Sequence, residues 1–126
     1  GRVLVIERRN PPFGWALPGG FVADGEPVEA AAVREALEET ALAVRLEALL
    51  GVYSDPSRDA RGHTVSAVYV ARGEGEARAQ DDARALDWLD PEDRSFALAF
   101  DHRYILDDYL RYRATGETAP LRHVPR

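Results

Sequence analysis

The chain contains no cysteine, no methionine and no lysine. Without cysteine there is no disulfide, no thiolate nucleophile and no Cys-built zinc site. Without lysine, all 16 basic residues are arginines. An Ala/Arg-rich composition accounts for most of them, and any one can still hold a phosphate through its planar fork of donors. No apolar run approaches the roughly 20 residues of a membrane helix, and no segment has the layout of a signal peptide. Cytoplasm is the expected compartment, with no membrane partner. A formal charge of −6 also sets aside nucleic acid as a general partner, because such binding depends on neutralising phosphates.

What is present reads as one domain over residues 1–116, followed by a tail, 117–126, without periodicity and expected to be loosely packed or disordered. The chain opens on Gly1 and runs into Arg2-Val3-Leu4-Val5-Ile6-Glu7, which reads as the second arm of a hairpin, so the first strand is expected to be missing from the sequence. Arg8 to Gly14 is turn chemistry, with two prolines, and Pro18-Gly19-Gly20 stops the short apolar segment Trp15-Ala16-Leu17. Residues from Pro27 to about Thr40 are strong helix formers with proline at the first turn. Strands are expected over Val44–Tyr53, His63–Arg72 and about Ala85–Leu89, with an exposed acidic loop from Glu74 to Asp82. A last helix is expected between an N-cap at Asp101 and a stop at Gly116, with Ile105, Tyr109 and Tyr112 on one face. Strands on both sides of one helix, closed by another, predict an α/β sandwich.

In the first helix Glu35, Glu38 and Glu39 stand three and four residues apart and share a face, while Ala30, Val33 and Leu37 form the expected packing stripe. Like charges at that spacing cost roughly 0.2–0.5 kcal/mol per pair in an isolated helix. A hard divalent cation reverses the sign, because magnesium and manganese favour carboxylate oxygens and bridge them to phosphates. The bland alternative is a solvated acidic face in which Arg34 and Glu38 make an ordinary i, i+4 pair.

The context upstream decides between them. From Gly20, five residues lead to Glu26, seven more to Arg34, and then follow Glu35-Ala36-Leu37-Glu38-Glu39-Thr40-Ala41-Leu42. This resembles the Nudix box, preceded by Trp15-Ala16-Leu17-Pro18-Gly19-Gly20, with every charged position of the pattern in place. The departure is Ala41, where the pattern has the glycine that suits a left-handed helix end. The resemblance runs from Arg2 to about Tyr112.

That resemblance implies the fold class α/β, a Nudix-type α/β/α sandwich with a mixed central sheet. It implies Mg²⁺, or Mn²⁺ in its place, held by Glu35, Glu38, Glu39 and the carbonyl of Gly19. Arg34 is expected to orient Glu35, and Glu26 to anchor the loop. The implied reaction is attack of water on a phosphorus of a diphosphate bridge, with Glu35 or the loop acid Asp82 as base, so that Arg34, Glu35, Glu38 and Asp82 form the catalytic set. The segments Gly51–Pro56, Arg58–His63 and Ala99–His102 are similar to the ADP-ribose pyrophosphatase group within the family. Arg58 and Arg61 are candidates to grip phosphate, and Tyr53, Phe13 or Trp15 to stack a base, although loop arginines are commonly solvated and such aromatics commonly core. The expected partner is a nucleotide-sugar or other nucleoside diphosphate derivative, and a homodimer is compatible with the resemblance. Three activities compete: hydrolysis of ADP-ribose to AMP and ribose 5-phosphate, pyrophosphate release from a nucleoside triphosphate, and ligand sensing without turnover.

Overall fold

The structure is a computed structural model that describes residues 1–125. Its elements in chain order are β1 (Val3–Arg8), β2 (Trp15–Ala16), α1 (Val28–Thr40), β3 (Ala43–Tyr53), β4 (Ser66–Glu74), β5 (Ala83–Leu89) and α2 (His102–Thr115). The expected strand at 63–72 starts three residues later, because His63 is held outside it by a hydrogen bond between its Nε2 and the Ser54 carbonyl, 2.9 Å.

The strands form two sheets, β2-β1-β5 and β3-β4, and every strand pair is antiparallel. The α/β sandwich expected from the sequence is present. Among the described residues, the mixed character of the sheet is limited to a parallel bridge between Trp15 and Leu98. Alternation along β1 sends Val5 and Ile6 to opposite faces. Val5 packs with Leu89 and with Leu106 of α2, while Ile6 packs with Ala16, Ala83 and Ala99, and with Phe100 at the margin. A third cluster, Leu50, Tyr53 and Ile105, ties β3 to α2. Each of these large side chains contributes about 1.5–3 kcal/mol by leaving water.

The ends of both helices follow from local chemistry. At α1 the C-cap is Ala41 in the left-handed region, φ 62°, with its N–H on the Leu37 carbonyl at 3.0 Å. The alanine therefore adopts the backbone angle that glycine reaches without strain. At α2, Asp101 occupies the N-cap position but makes no capping hydrogen bond. Its carboxylate accepts instead from Arg58, at 2.9 Å from Nε and 2.8 Å from Nη2.

The tail is not loose. The Ala119 N–H donates to the Leu50 carbonyl at 2.8 Å, and the Arg122 guanidinium binds the buried Asp108 carboxylate in two places, at 2.9 and 2.7 Å. A Cβ at Gly51 would stand 2.7 Å from that of Ala119. Close approach of the tail to β3 thus requires glycine there. Aperiodic sequence did not reveal these long-range partners, which are polar and few.

Candidate active site

The expected packing stripe of α1 is corrected by the structure. Leu37 is 50 % exposed, and the buried residues of the helix are Ala31, Glu39 and Thr40. With Glu35 half-buried between them, positions 31, 35 and 39 make an inward stripe at spacing four. The physical reason is what lies opposite: polar backbone of the Pro18-Gly19-Gly20 turn rather than apolar side chains. The Gly19 N–H donates to Glu39 Oε1 at 2.9 Å. At Gly20 a Cβ would sit 2.5 Å from both carboxylate oxygens of Glu35, so only glycine permits this approach.

Arg34 organises the outer side. Its Nε and Nη2 grip the two Glu26 oxygens at 2.7 and 2.9 Å. Its Nη1 donates to Glu35 Oε1 at 2.9 Å and to Glu38 Oε2 at 3.1 Å, and Nη2 also reaches the Phe21 carbonyl at 3.1 Å. Glu26 in turn accepts the Ala23 N–H at 3.0 Å. The Arg34 guanidinium beside it holds the Glu26 carboxyl down at about 2. A planar fork serving three carboxylates and a loop carbonyl fixes rotamers as well as charge.

The acidic loop is drawn onto the end of α1. Backbone N–H groups of Arg78 and Gln80 donate to the Thr40 and Glu39 carbonyls at 2.8 and 2.9 Å, satisfying acceptors that a helix C-terminus leaves open. This brings Asp82 beside Glu39. Glu39 is 5 % exposed, and burial pushes its carboxyl up to about 7. Glu35 and Asp82 add to the rise, against the Gly19 N–H and the nearby Arg8.

Among the described residues, no three acids or histidines converge on one point as a metal-holding group. Glu35 and Glu38 are turned to Arg34, and Glu39 to Gly19. The donor set nonetheless fits a hard divalent cation. It is all oxygen, and it includes a buried carboxylate with like charges as neighbours and no ion pair of its own among the described residues, a combination that is costly until a cation joins it.

The substrate candidates separate. Arg58 is corrected to a brace: its side chain is 5 % exposed, and four of its five N–H donors are taken by Asp101, Thr64 and Ser66. Tyr53 is also corrected. It is buried, with its hydroxyl on Asp108 at 2.7 Å, so its ring belongs to the core. Trp15 likewise packs edge-on against Phe96, ring centroids 5.3 Å apart, within the second cluster. Phe13 is 67 % exposed and remains available for stacking. Arg61 pairs with Asp59 at 2.8 Å but keeps 46 % of its side chain exposed. Arg8, which reads in sequence as the start of a loop, lies beside this site, and no local pattern distinguishes it from the other arginines.

His102 connects α2 to the glycine turn. Its Nδ1 accepts the Leu17 N–H at 2.9 Å, so the proton resides on Nε2 when the ring is neutral. The ring is half-buried yet closely surrounded by protein, and burial pushes its pKa down to about 4, with Asp101 opposing and Arg58 and Arg8 assisting. Unfolded, the same ring titrates at about 6.5. Above that pH both states are neutral and full stability is present. As pH falls from 6.5 to 4 the unfolded chain takes up a proton that the folded chain refuses, and stability is lost. Urea unfolding at pH 7 and pH 5 is expected to show a loss of about 2 kcal/mol from this group. His102→Asn keeps an acceptor for Leu17 and is expected to lack that loss; an equal pH dependence in both proteins would exclude His102 as its source.

Comparison with known proteins reports on the same region. The NUDIX domain family matches residues 1–109. An ADP-ribose pyrophosphatase of Methanocaldococcus jannaschii is 48 % identical over 115 residues, which are 89 % of this chain and 68 % of that one. The NUDIX domain of Shewanella oneidensis NrtR in complex with ADP ribose superposes with a TM-score of 0.78 at 31 % identity, covering 90 % of this chain and 78 % of that one. A bifunctional NMN adenylyltransferase/ADP ribose pyrophosphatase of Francisella tularensis, complexed with AMP and a Mn ion, gives a TM-score of 0.70 at 28 % identity over 89 % of this chain and 38 % of that one. With the family matched from β1 into α2, and Glu35 and Glu39 of α1 set against the Gly19-Gly20 turn, the chain belongs to the NUDIX family and is a Nudix hydrolase.

Proposed function

We propose that this protein hydrolyses ADP-ribose to AMP and ribose 5-phosphate, using Mg²⁺ with Mn²⁺ able to replace it. Nudix hydrolases are divalent-metal-dependent, and Glu35, Glu38, Glu39 and the Gly19 carbonyl would hold the ion here. When bound, it supplies neutralisation of phosphate charge and a lowered pKa for water. The observation that carries the reading is the burial of Glu39 against the Gly19 N–H, with Glu35 and Asp82 close by and no cation paired with it among the described residues. The similarity to the M. jannaschii enzyme supports the choice of substrate.

The protein's own groups divide the work. Arg34 holds Glu35 and Glu38 in place. Glu35 or Asp82 takes a proton from the attacking water as its oxygen bonds to phosphorus. The P–O bond to the bridging oxygen breaks, and the leaving phosphate departs with the electron pair of that bond. Phe13 offers its exposed face to the base, and Arg61 its free guanidinium edge to the diphosphate.

A panel of ADP-ribose, other nucleoside diphosphate derivatives and nucleoside triphosphates, assayed with MgCl₂ and scored for AMP against pyrophosphate, tests this reading. ADP-ribose is expected to be the best substrate, with AMP as product. Pyrophosphate release from triphosphates without ADP-ribose turnover would assign the protein to nucleotide clearance instead. Binding of ADP-ribose without turnover would make it a sensor.

A further inference from the structure

Of the half-buried arginines, Arg34, Arg58 and Arg122 are each paired with a carboxylate, and Arg103 donates to three backbone carbonyls. Arg8 differs. Its Nε and Nη2 reach the Pro12 and Pro11 carbonyls at 2.8 and 3.4 Å, while its Nη1 has no partner and no carboxylate pairs with it among the described residues. Its charge acts on the nearby Glu39 without contact, and a half-buried guanidinium with an unused Nη1 edge is costly unless an acceptor completes it.

Its position is set by the strand. The pairing of β1 with β5 shifts register between Glu7 and Arg8, with Arg84 as the extra residue, where Arg8 faces Ala83. Such a bulge commonly re-aims a side chain beside a functional site. Arg8 lies on the Ile6 face of β1, and its guanidinium carbon stands 4.9 Å from the ring centre of Phe100. That of Arg61 stands 5.3 Å from the same ring. Two cations that would repel in isolation thus lie within cation–π distance of one aromatic ring, which attracts each of them. Phe100 itself is held at φ 56°, a backbone angle uncommon for a bulky residue. It is tied to the acid cluster through a short chain of contacts. Its ring is 5.2 Å from that of His102, His102 accepts the Leu17 N–H, and two residues on, the Gly19 N–H holds Glu39.

We propose that Arg8 and Arg61, both seated on the ring of Phe100, grip the diphosphate of the substrate, and that Phe100 is a positioning residue that fixes the two guanidiniums. This rests on the reading of the protein as a hydrolase of a nucleoside diphosphate derivative, and it adds Arg8 and Phe100 to the residues that handle the substrate. The clamp meets phosphate oxygens with the free Nη1 edge of each arginine. It leaves the choice of attacking water to the acids of α1 and the 75–82 loop. A structural role alone, fastening the Pro11-Pro12 turn, accounts for the Arg8 hydrogen bonds but not for a second arginine on the same ring.

The test measures ADP-ribose hydrolysis with MgCl₂ and, separately, calorimetric binding of α,β-methylene ADP-ribose in EDTA, for wild type, Arg8→Ala, Arg8→Lys, Arg61→Ala, Phe100→Leu and Phe100→Tyr. Loss of one charge-assisted contact is expected to raise KM and the analogue Kd about tenfold in Arg8→Ala and Arg61→Ala, with a much smaller change in kcat. Phe100→Leu is expected to shift both constants in the same direction, Phe100→Tyr to retain wild-type values, and Arg8→Lys to fall between alanine and arginine. Because Arg61 is exposed, Arg61→Ala keeps the test decisive even where an Arg8 variant folds poorly. Wild-type KM and Kd in Arg61→Ala and Phe100→Leu would overturn the clamp while leaving the function intact. If the wild type turned over no ADP-ribose, the functional reading would fail, and analogue affinity alone would then judge the clamp.

Discussion

Glu39→Gln is expected to lower kcat/KM for ADP-ribose by on the order of 10³-fold while leaving the protein as stable as wild type or more so. The two halves of that expectation come from one geometry. Glutamine keeps an oxygen where Glu39 Oε1 accepts the Gly19 N–H at 2.9 Å, so the turn stays fastened. What it removes is a charge that is buried, close to Glu35 and Asp82, and paired with no cation among the described residues. Such a charge is unfavourable to the fold on its own, and its neutral isostere relieves that strain. A side chain retained at a cost to stability is retained for what it does. Steady-state kinetics with a thermal melt on the same preparations checks both halves. A parallel loss of activity and stability would show Glu39 to be structural.

Arg34→Ala is expected to reduce kcat on the order of 10²-fold, the scale of losing a group that orients reactive side chains. Arg34 serves Glu26, Glu35, Glu38 and the Phe21 carbonyl at once, at 2.7 to 3.1 Å. Arg34→Lys supplies the charge without the planar fork and is expected to recover little of the activity. Full recovery in the lysine variant would mean that charge alone, rather than oriented pairing, is what Arg34 provides. The sign for Glu26 also follows: with its guanidinium partner gone, the carboxyl returns from about 2 toward its ordinary value.

The parts legible in the sequence were those carried by spacing. The acidic stripe of α1, the turn at Pro18-Gly19-Gly20 and the helix from Asp101 to Gly116 follow from period and residue type, and the left-handed end at Ala41 follows from the family pattern that has glycine there. The parts that were not legible depend on what lies across space. Periodicity marks Leu37 as inward because it is apolar, but the neighbour opposite the stripe is a glycine turn that donates an N–H to one carboxylate and leaves room for another. Tyr53 as a base-stacking candidate and Arg58 as a phosphate grip are readings that local sequence allows because their partners, Asp108 and Asp101, lie 55 and 43 residues away. The tail reads as loosely packed or disordered for the same reason: Arg122 meets Asp108 14 residues away. Arg8 shows the limit most plainly. One arginine among sixteen gains its meaning from a register shift in β1 and from Phe100 arriving beside it.

On the proposed reading, the α1 glutamates hold a divalent cation. Mn²⁺ titration followed by electron paramagnetic resonance, with wild type, Glu38→Gln and Glu39→Gln compared in the absence of substrate, tests it most directly. Saturable Mn²⁺ binding in the wild type, competed by Mg²⁺ and weakened by at least tenfold in each variant, is the predicted result. Equal Mn²⁺ affinity in all three proteins would contradict it.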